Sequence, residues 1–320
     1  MQAPERLRLA TRGSRLARIQ TQLVADALQQ HYPGIEIETV VVTTTGDRDQ
    51  RPFAAIGGKG LFTTEVERAL LDGRADAAVH SAKDLTSEIA PDCAIVCIPE
   101  RAAPHDIVIG GTGGTGEDRL ASLPAGARVG TSSMRRRALL AELRGDVVAV
   151  EFRGNLDTRI EKVARGDVDA AIVAAAGLAR LGAEVDVAPL DPLHWVPAPK
   201  QGALAVEVLS GRTDLERLFE PLNHLATWTE TNLETAFARR LEGGCSVPLG
   251  CVAHQRGHQV VAVGFVGSPD GQRCVRALTG GPPEDADALG VELAERMLRS
   301  GGAEILAALD RARTPEVVEP

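Results

Sequence analysis

A histidine, a serine, a lysine and an aspartate are grouped at the end of one apolar segment. The segment is Ala77-Ala78-Val79, and His80-Ser81-Ala82-Lys83-Asp84 follows it directly. Such a run is typical of a buried strand, and ligands collect at the carboxyl ends of parallel strands. A Lys-Asp pair is more often a surface ion pair. In a cleft, however, Asp84 can stabilise a cationic intermediate or move a proton.

Hydroxyl and guanidinium groups are concentrated in Gly130-Thr131-Ser132-Ser133-Met134-Arg135-Arg136-Arg137, where a strand is predicted to give way to a helix. Ser133 can simply cap that helix. Free backbone N–H groups beside arginines also form a carboxylate or phosphate site, and both interpretations remain open. A cluster of arginines within 25 residues suits a small polyanion: Arg135, Arg136, Arg137, Arg144, Arg153 and Arg159.

One cysteine lies on a glycine-rich loop, in Leu241-Glu242-Gly243-Gly244-Cys245-Ser246-Val247-Pro248. A lone cysteine is usually structural, but glycines before it and a proline after it favour an exposed, positioned thiol. Cys93 and Cys97 lie in a predicted strand, where roughly 13 Å would separate them, so we predict no shared metal ion. The run Gly110–Gly116 lacks the Lys-Ser/Thr of a phosphate loop and predicts a flexible loop.

Strand and helix patterns alternate through the first 200 residues and predict βαβ units with a mostly parallel sheet. Two stretches, Gly73–Val79 and Gly166–Ile172, resemble each other and indicate two similar α/β domains enclosing a ligand cleft. From about Leu222 the pattern becomes one of a helix, three strands and an amphipathic helix ending at Gly301-Gly302. This order predicts an α+β domain.

Composition and charge narrow the class of protein. The chain has 320 residues, of which 44% are hydrophobic and 25% charged, enough for two or three domains. A net charge of −9 argues against nucleic acid or an anionic membrane as the main partner. No signal segment and no apolar run of about 18 residues are present, so we expect a cytoplasmic protein with reduced thiols.

Seven segments, in this order and spacing, resemble the porphobilinogen deaminase (hydroxymethylbilane synthase) family across nearly the whole chain. No one of them is decisive, but their order makes chance untenable. They are Ala10-Thr11-Arg12-Gly13-Ser14, Gly57-Gly58-Lys59-Gly60-Leu61-Phe62, Val79-His80-Ser81-Ala82-Lys83-Asp84, Gly130-Thr131-Ser132-Ser133 with Arg135-Arg136, Phe152-Arg153-Gly154-Asn155-Leu156-Asp157-Thr158-Arg159, Ala176-Gly177-Leu178-Ala179-Arg180-Leu181-Gly182 and Leu241-Glu242-Gly243-Gly244-Cys245.

The resemblance implies an α/β fold of two domains like those of periplasmic binding proteins, with mostly parallel sheets. A small α+β domain with an antiparallel sheet would carry the cofactor loop. We expect residues 1–101 and 201–220 in the first domain, 105–198 in the second, 222–313 in the third, and a loose tail at 314–320. The protein is expected to be a monomer.

The resemblance also implies a dipyrromethane cofactor joined to Cys245 through a thioether. Porphobilinogen would be deaminated to an azafulvene and attacked by the free α-carbon of the growing chain. After four units are joined, hydrolysis would release hydroxymethylbilane, which uroporphyrinogen-III synthase would then use in tetrapyrrole biosynthesis.

The matching positions assign the site residues. Asp84 is the implied catalytic carboxylate, and Lys59 belongs to a mobile loop that closes over the site. No metal is implied. The carboxylates of cofactor and substrate would be bound by a larger set, because each pyrrole carries an acetate and a propionate. That set is Arg12, Ser14, Ser81, Lys83, Thr131, Ser132, Ser133, Arg135, Arg136, Arg153, Arg159 and Arg180.

Several positions depart from the family's usual pattern. Lys200 stands where glycine is expected and could stiffen an interdomain crossing. Thr235 replaces a common arginine, Ala55 a frequent lysine, and Leu85-Thr86 the usual Val-Pro. A specialised paralogue is therefore one alternative, and a non-catalytic small-anion binding protein is another, although such a module needs no Cys245 on a glycine loop. A transcription regulator is not favoured, since no helix-turn-helix pattern stands out.

Overall fold

The structure is a computed structural model that describes residues 3–48, 63–86, 89–242 and 247–313. The strands of the described residues are β1 (Arg6–Arg12), β2 (Glu36–Val42), β3 (Ala77–Ser81), β4 (Cys93–Cys97), β5 (Asp106–Gly110), β6 (Arg128–Gly130), β7 (Val148–Val150), β8 (Ala170–Ala174), β9 (Val187–Pro189), β10 (Leu204–Leu209), β11 (Leu249–Arg256), β12 (Gln259–Gly267) and β13 (Cys274–Gly281). The α-helices are α1 (Arg15–His31), α2 (Thr45–Arg48), α3 (Thr64–Leu71), α4 (Gly116–Ala121), α5 (Met134–Leu143), α6 (Leu156–Ala164), α7 (Ala175–Leu181), α8 (Thr213–Phe219), α9 (Leu225–Arg240), α10 (Ala286–Met297) and α11 (Ala303–Arg313). None of these helices is long and apolar enough to span a membrane.

Among the three sheets that the described residues form, two share one topology. The first has the order β2-β1-β3-β10-β4, with β1 parallel to β2 and β3, and with β10 antiparallel to both of its neighbours. The second has the order β7-β6-β8-β5-β9, with β6 parallel to β7 and β8, and with β5 antiparallel to its neighbours. The predicted pair of similar α/β units is confirmed. Each unit also includes an antiparallel strand, which the strand and helix pattern alone did not place.

The first sheet buries side chains on both faces, as a sheet covered by helices must. Leu7 and Leu9 of β1 pack with Val24 and Leu28 of α1. On the other face, Ala10 packs beneath α3. Because β1 and β3 are parallel, the polar residues that end them lie at the same edge of an apolar layer.

The third sheet is an antiparallel meander, β11-β12-β13, that packs on α9 and α10. This confirms the predicted α+β domain. Val263 and Phe265 of β12 belong to the core beneath the second sheet, so the third domain is fixed against α5. Gly271, with φ +69°, closes the β12–β13 turn so near α5 that a β-carbon would lie 2.3 Å from Glu142 N. Only glycine suits this approach.

The C-terminal helix differs from its prediction. One helix was predicted to stop at Gly301-Gly302, but α10 ends at Met297 and a kinked segment, Leu298–Gly302, leads into α11. Gly301 absorbs the kink with φ +106°, and the chain resumes its helix instead of leaving it. The predicted loose tail, 314–320, lies outside the described residues.

Candidate active site

Asp84 and Arg12 meet where two parallel strands end. Leu9 pairs with Ala77 and Ala10 with Ala78, so β1 and β3 finish at the same edge of the first sheet. Ala82–Asp84 forms a 3₁₀ turn directly after β3. Arg12 Nη1 lies 3.5 Å from Asp84 Oδ2, with the side chains 20% and 31% exposed. The carboxylate is therefore held beside a cation and remains within reach of a ligand.

Lys83 lies between Asp84 and the second domain. Its Nζ donates to Gln201 Oε1 at 3.4 Å, on the chain that returns from the second domain to the first. Burial and the charge of Arg136 together lower the pKa of the Lys83 ammonium to about 8, against the attraction of Asp84. A buried ammonium near other cations gains more from an added anion than a solvated one does.

Arg135 and Arg136 both hold Asp106, the first residue of β5. Arg135 Nη2 donates to Asp106 Oδ2 at 2.8 Å, and Arg136 donates from Nη2 and Nε at 2.7 and 3.1 Å. Trp195 Nε1 and Gln201 Nε2 complete the cluster at 3.0 and 2.8 Å. Burial acts to raise the pKa of Asp106, but the two guanidinium groups and these hydrogen bonds hold it well below its usual range.

Sequence reasoning missed Asp106. It precedes the apolar run Ile107-Val108-Ile109, where an aspartate is expected at a turn and in solvent. The structure buries it completely. The two arginines were predicted to bind ligand carboxylates, and here each already contacts a carboxylate of the protein. Two guanidinium groups on one carboxylate still leave the cluster positive.

The predicted hydroxyl residues lie where strands give way to helices. Ser133 Oγ accepts from Arg136 N at 3.4 Å and caps α5, which confirms the capping interpretation. Ser132 Oγ donates to the carbonyl oxygen of Phe152 and accepts from its N–H, both at 3.0 Å. Thr131 Oγ1 accepts from Ser133 N at 3.2 Å. In the first domain, Ser14 caps α1 and Ser81 Oγ bonds Gln20.

Three further arginines surround this region. Arg159 Nε donates to Gly154 O at 3.0 Å, and burial with the charge of Arg136 lowers its pKa to about 10. Arg153 Nε lies 3.1 Å from a carboxylate oxygen of Glu151. Arg180 Nη2 donates to Gly202 O at 2.6 Å, and burial lowers its pKa. A carbonyl partner leaves the guanidinium charge in place, so Arg159 and Arg180 add positive charge to the region, whereas Glu151 offsets the charge of Arg153.

Two family models match the chain. Residues 7–217 match the one described as "Porphobilinogen deaminase, dipyromethane cofactor binding domain", and residues 228–299 match "Porphobilinogen deaminase, C-terminal domain". The chain belongs to the porphobilinogen deaminase family. It is thus a transferase of a family whose cofactor is a dipyrromethane, which confirms the family, the enzyme class and the cofactor that the seven segments implied.

Curated relatives agree with this assignment. A porphobilinogen deaminase of Roseiflexus castenholzii is 44% identical over 303 residues, covering 94% of this chain and 98% of the relative. One of Bordetella parapertussis is 43% identical over 311 residues, covering 97% and 98%. Among solved structures, the periplasmic aliphatic sulphonate binding protein SsuA of Escherichia coli aligns with a TM-score of 0.39 and 17% identity, over 75% of this chain and 71% of that one.

The described residues fit the porphobilinogen deaminase cofactor, which is a polycarboxylate. Arg135 and Arg136 share the single carboxylate of Asp106, so positive charge exceeds negative charge in that cluster. Burial and the charge of Arg136 also lower the pKa values of Lys83 and Arg159. Within the described part of the chain, the buried Nε of Arg135 has no hydrogen-bond partner. Buried cations in excess and an unused donor are what a bound carboxylate would satisfy.

Two predicted site residues, Cys245 and Lys59, lie outside the described residues. The flanks of the cysteine segment are described. Leu241 is buried at the end of α9, and Leu249 begins β11 in the third sheet. The assignment of Cys245 as the attachment point and that of Lys59 to a closing loop therefore remain predictions for this member of the porphobilinogen deaminase family.

Proposed function

We propose that this chain joins four porphobilinogen units head to tail onto a dipyrromethane held by Cys245 and then releases hydroxymethylbilane by hydrolysis. The observation that carries the proposal is the Asp84 carboxylate, partly open at the strand ends, beside Arg12 and next to the half-buried Lys83. The protein would act as a cytoplasmic monomer whose product passes to uroporphyrinogen-III synthase.

Asp84 faces the charge that develops in the substrate. Loss of ammonia breaks the aminomethyl C–N bond and leaves a cationic, delocalised methylene-pyrrole, and a carboxylate in low dielectric stabilises such a cation. Formation of the new C–C bond then requires removal of a proton from the α-carbon that attacked. The amine is an ammonium at neutral pH and departs as ammonia; Asp84 can then take the proton from the α-carbon and pass it to solvent, so each cycle releases one ammonia and one proton and leaves the carboxylate ionised.

The cations hold the side chains of the pyrroles. Arg159, Arg153 and Arg180 would bind acetate and propionate groups through charge-assisted hydrogen bonds, together with Lys83 and Arg12. Arg135 and Arg136 are held rigidly by Asp106, so they would act with little reorganisation. When bound, the dipyrromethane supplies the free pyrrole α-carbon to which the first unit is joined. The capped start of α5 adds backbone N–H groups at the same place.

The intact mass of the purified chain tests the proposal. The wild type should exceed its sequence mass by two porphobilinogen units less two ammonias, and Cys245→Ser should lack the excess and be inactive, because serine cannot supply the thiolate. Cys274→Ser is the matched control and should keep both the excess and the activity. No excess in the wild type after incubation with porphobilinogen would instead favour a non-catalytic anion-binding protein.

The titration of Lys83 gives a second prediction. As pH rises through about 8 the ammonium is lost, so KM for porphobilinogen should rise on that limb in the wild type. Lys83→Met should show a higher KM at pH 7 and no such rise. KM profiles that stay parallel in the two proteins would remove Lys83 from substrate binding.

Lys83→Met should weaken substrate binding but stabilise the folded protein. The folded pKa of Lys83 lies below its unfolded value of 10.5, so between these pH values the unfolded chain binds more protons. Stability from this group therefore increases as pH rises through that window. At pH 7 the partly desolvated charge costs stability, and Lys83→Met should melt at a higher temperature than the wild type.

A further inference from the structure

Lys200 occupies a backbone conformation that disfavours it. Its φ is +62°, in the left-handed region that glycine adopts without strain. Its side chain is nevertheless buried, within the crossing that returns the chain to the first domain. The chain uses only four lysines against 31 arginines, so a lysine at this position is not a product of composition.

The ammonium of Lys200 reaches the turn that carries Asp84. Lys200 Nζ donates to Leu85 O at 3.1 Å, one residue beyond the carboxylate. The backbone N–H of Lys200 donates to the Glu234 carboxylate, which also accepts from Arg101 at 2.7 and 3.0 Å. The backbone of Lys200 is therefore bonded to Glu234 of α9, in the third domain, while its side chain bonds a residue of the first domain.

The neighbouring residues hold the other side of the same turn. Gln201 Oε1 accepts from Lys83 Nζ at 3.4 Å, and Gln201 Nε2 donates to Asp106 Oδ1. Ala203 O accepts from Ala82 N at 3.0 Å. The returning chain thus contacts the residues on both sides of Asp84.

We propose that Lys200 is a positioning residue for Asp84. Its bond to Leu85 O fixes the end of the 3₁₀ turn and so keeps the carboxylate beside Arg12. The inference rests on the proposed function, because it assigns Asp84 the work described above. It explains why a strained lysine occupies a position where glycine would fold more easily.

The test compares Lys200→Met with Lys200→Gly in the full-length, cofactor-loaded enzyme. Methionine keeps the strain and the length but loses the donor, whereas glycine loses the donor and relieves the strain. Both should lower kcat about tenfold with KM changed less than about twofold, since small displacements of a reacting group cost rate and not binding. Lys200→Gly should melt no lower than the wild type, which separates the loss of rate from any loss of stability.

A double-variant cycle identifies the group through which Lys200 acts. In an Asp84→Glu background, whose carboxylate is already displaced, Lys200→Met should change the residual kcat less than about twofold. An equal factor in both backgrounds, or wild-type kcat in Lys200→Met, would overturn the proposal. Arg296→Met removes a comparable bond to a carbonyl, Leu278 O, in the third domain and should leave kcat unchanged. Failure of the proposed function would appear in the wild type itself as no product from porphobilinogen, whereas failure of this proposal appears only in the Lys200 variants.

Discussion

Asparagine in place of Asp84 should leave the protein folded and loaded with its cofactor but lower kcat by about 100- to 10,000-fold. The amide has nearly the same shape and its oxygen can contact Arg12 as the carboxylate does, so the strand ends should stay in place. It carries no negative charge and takes up no proton at neutral pH. Stabilisation of the cationic pyrrole and transfer of the proton would both be lost. Intact mass reports cofactor loading, melting temperature reports folding and single-turnover rate reports the chemistry. Measuring all three on one preparation separates a loss of rate from a loss of cofactor or of stability.

The control removes a carboxylate of similar geometry away from the site. Asp214 pairs with Arg212 at 2.7 Å on the surface of the first domain, and exposed pairs of this kind contribute little. Asp214→Asn should therefore keep wild-type turnover. Near-normal turnover in Asp84→Asn would show that another group carries the charge, and loss of the cofactor in that variant would show that Asp84 acts in assembly instead.

The strand ends of the first sheet were predictable because they depend on local pattern. An apolar run followed by Lys83 and Asp84 marks the carboxyl end of a buried strand, and Arg12 follows another. Parallel pairing of β1 and β3 then brings Arg12 and Asp84, which are 72 positions apart, to one edge of the first sheet. The third domain was predictable for the same reason, because turn residues separate strands whose apolar and polar residues alternate. Caps such as Ser133 could be recognised from sequence for the same reason.

Contacts that depend on long-range packing could not be predicted. Nothing in Asp106-Ile107-Val108 shows that its carboxylate meets two arginines about 30 residues further along, because pairing of charges leaves no periodic pattern. The Gly110–Gly116 run was predicted to be flexible, but Thr115 caps α4 with Asp118 in a complete capping box. The sequence alone identified Lys200 as a departure from the family's usual pattern. Its bond to Leu85 O could be recognised only from the fold.

Replacement of Asp106 should be the most destabilising change of a single side chain in the second domain. Asp106→Asn keeps the shape but leaves Arg135 and Arg136 as buried guanidinium groups with no countercharge from that position. Breaking a buried pair in this way costs about 3–5 kcal/mol. The folded pKa of Asp106 is depressed, so its contribution is fully present above the unfolded pKa near 3.8 and is lost only as pH falls below it. Urea unfolding at pH 7 measures the loss.

A matched comparison shows whether burial is the cause. Asp186 pairs with the buried Arg119, but its own side chain is 86% exposed, so Asp186→Asn should cost less than about 1 kcal/mol. In an Arg135→Met background, Asp106→Asn should cost less than it does alone, because one of the two unbalanced charges is gone. Equal costs in both backgrounds would mean that the hydrogen bonds from Trp195 and Gln201, and not the charge pair, hold the cluster. With the cluster intact, Arg135 and Arg136 are fixed in place before any ligand binds, so binding a pyrrole carboxylate would require little reorganisation of the two guanidinium groups.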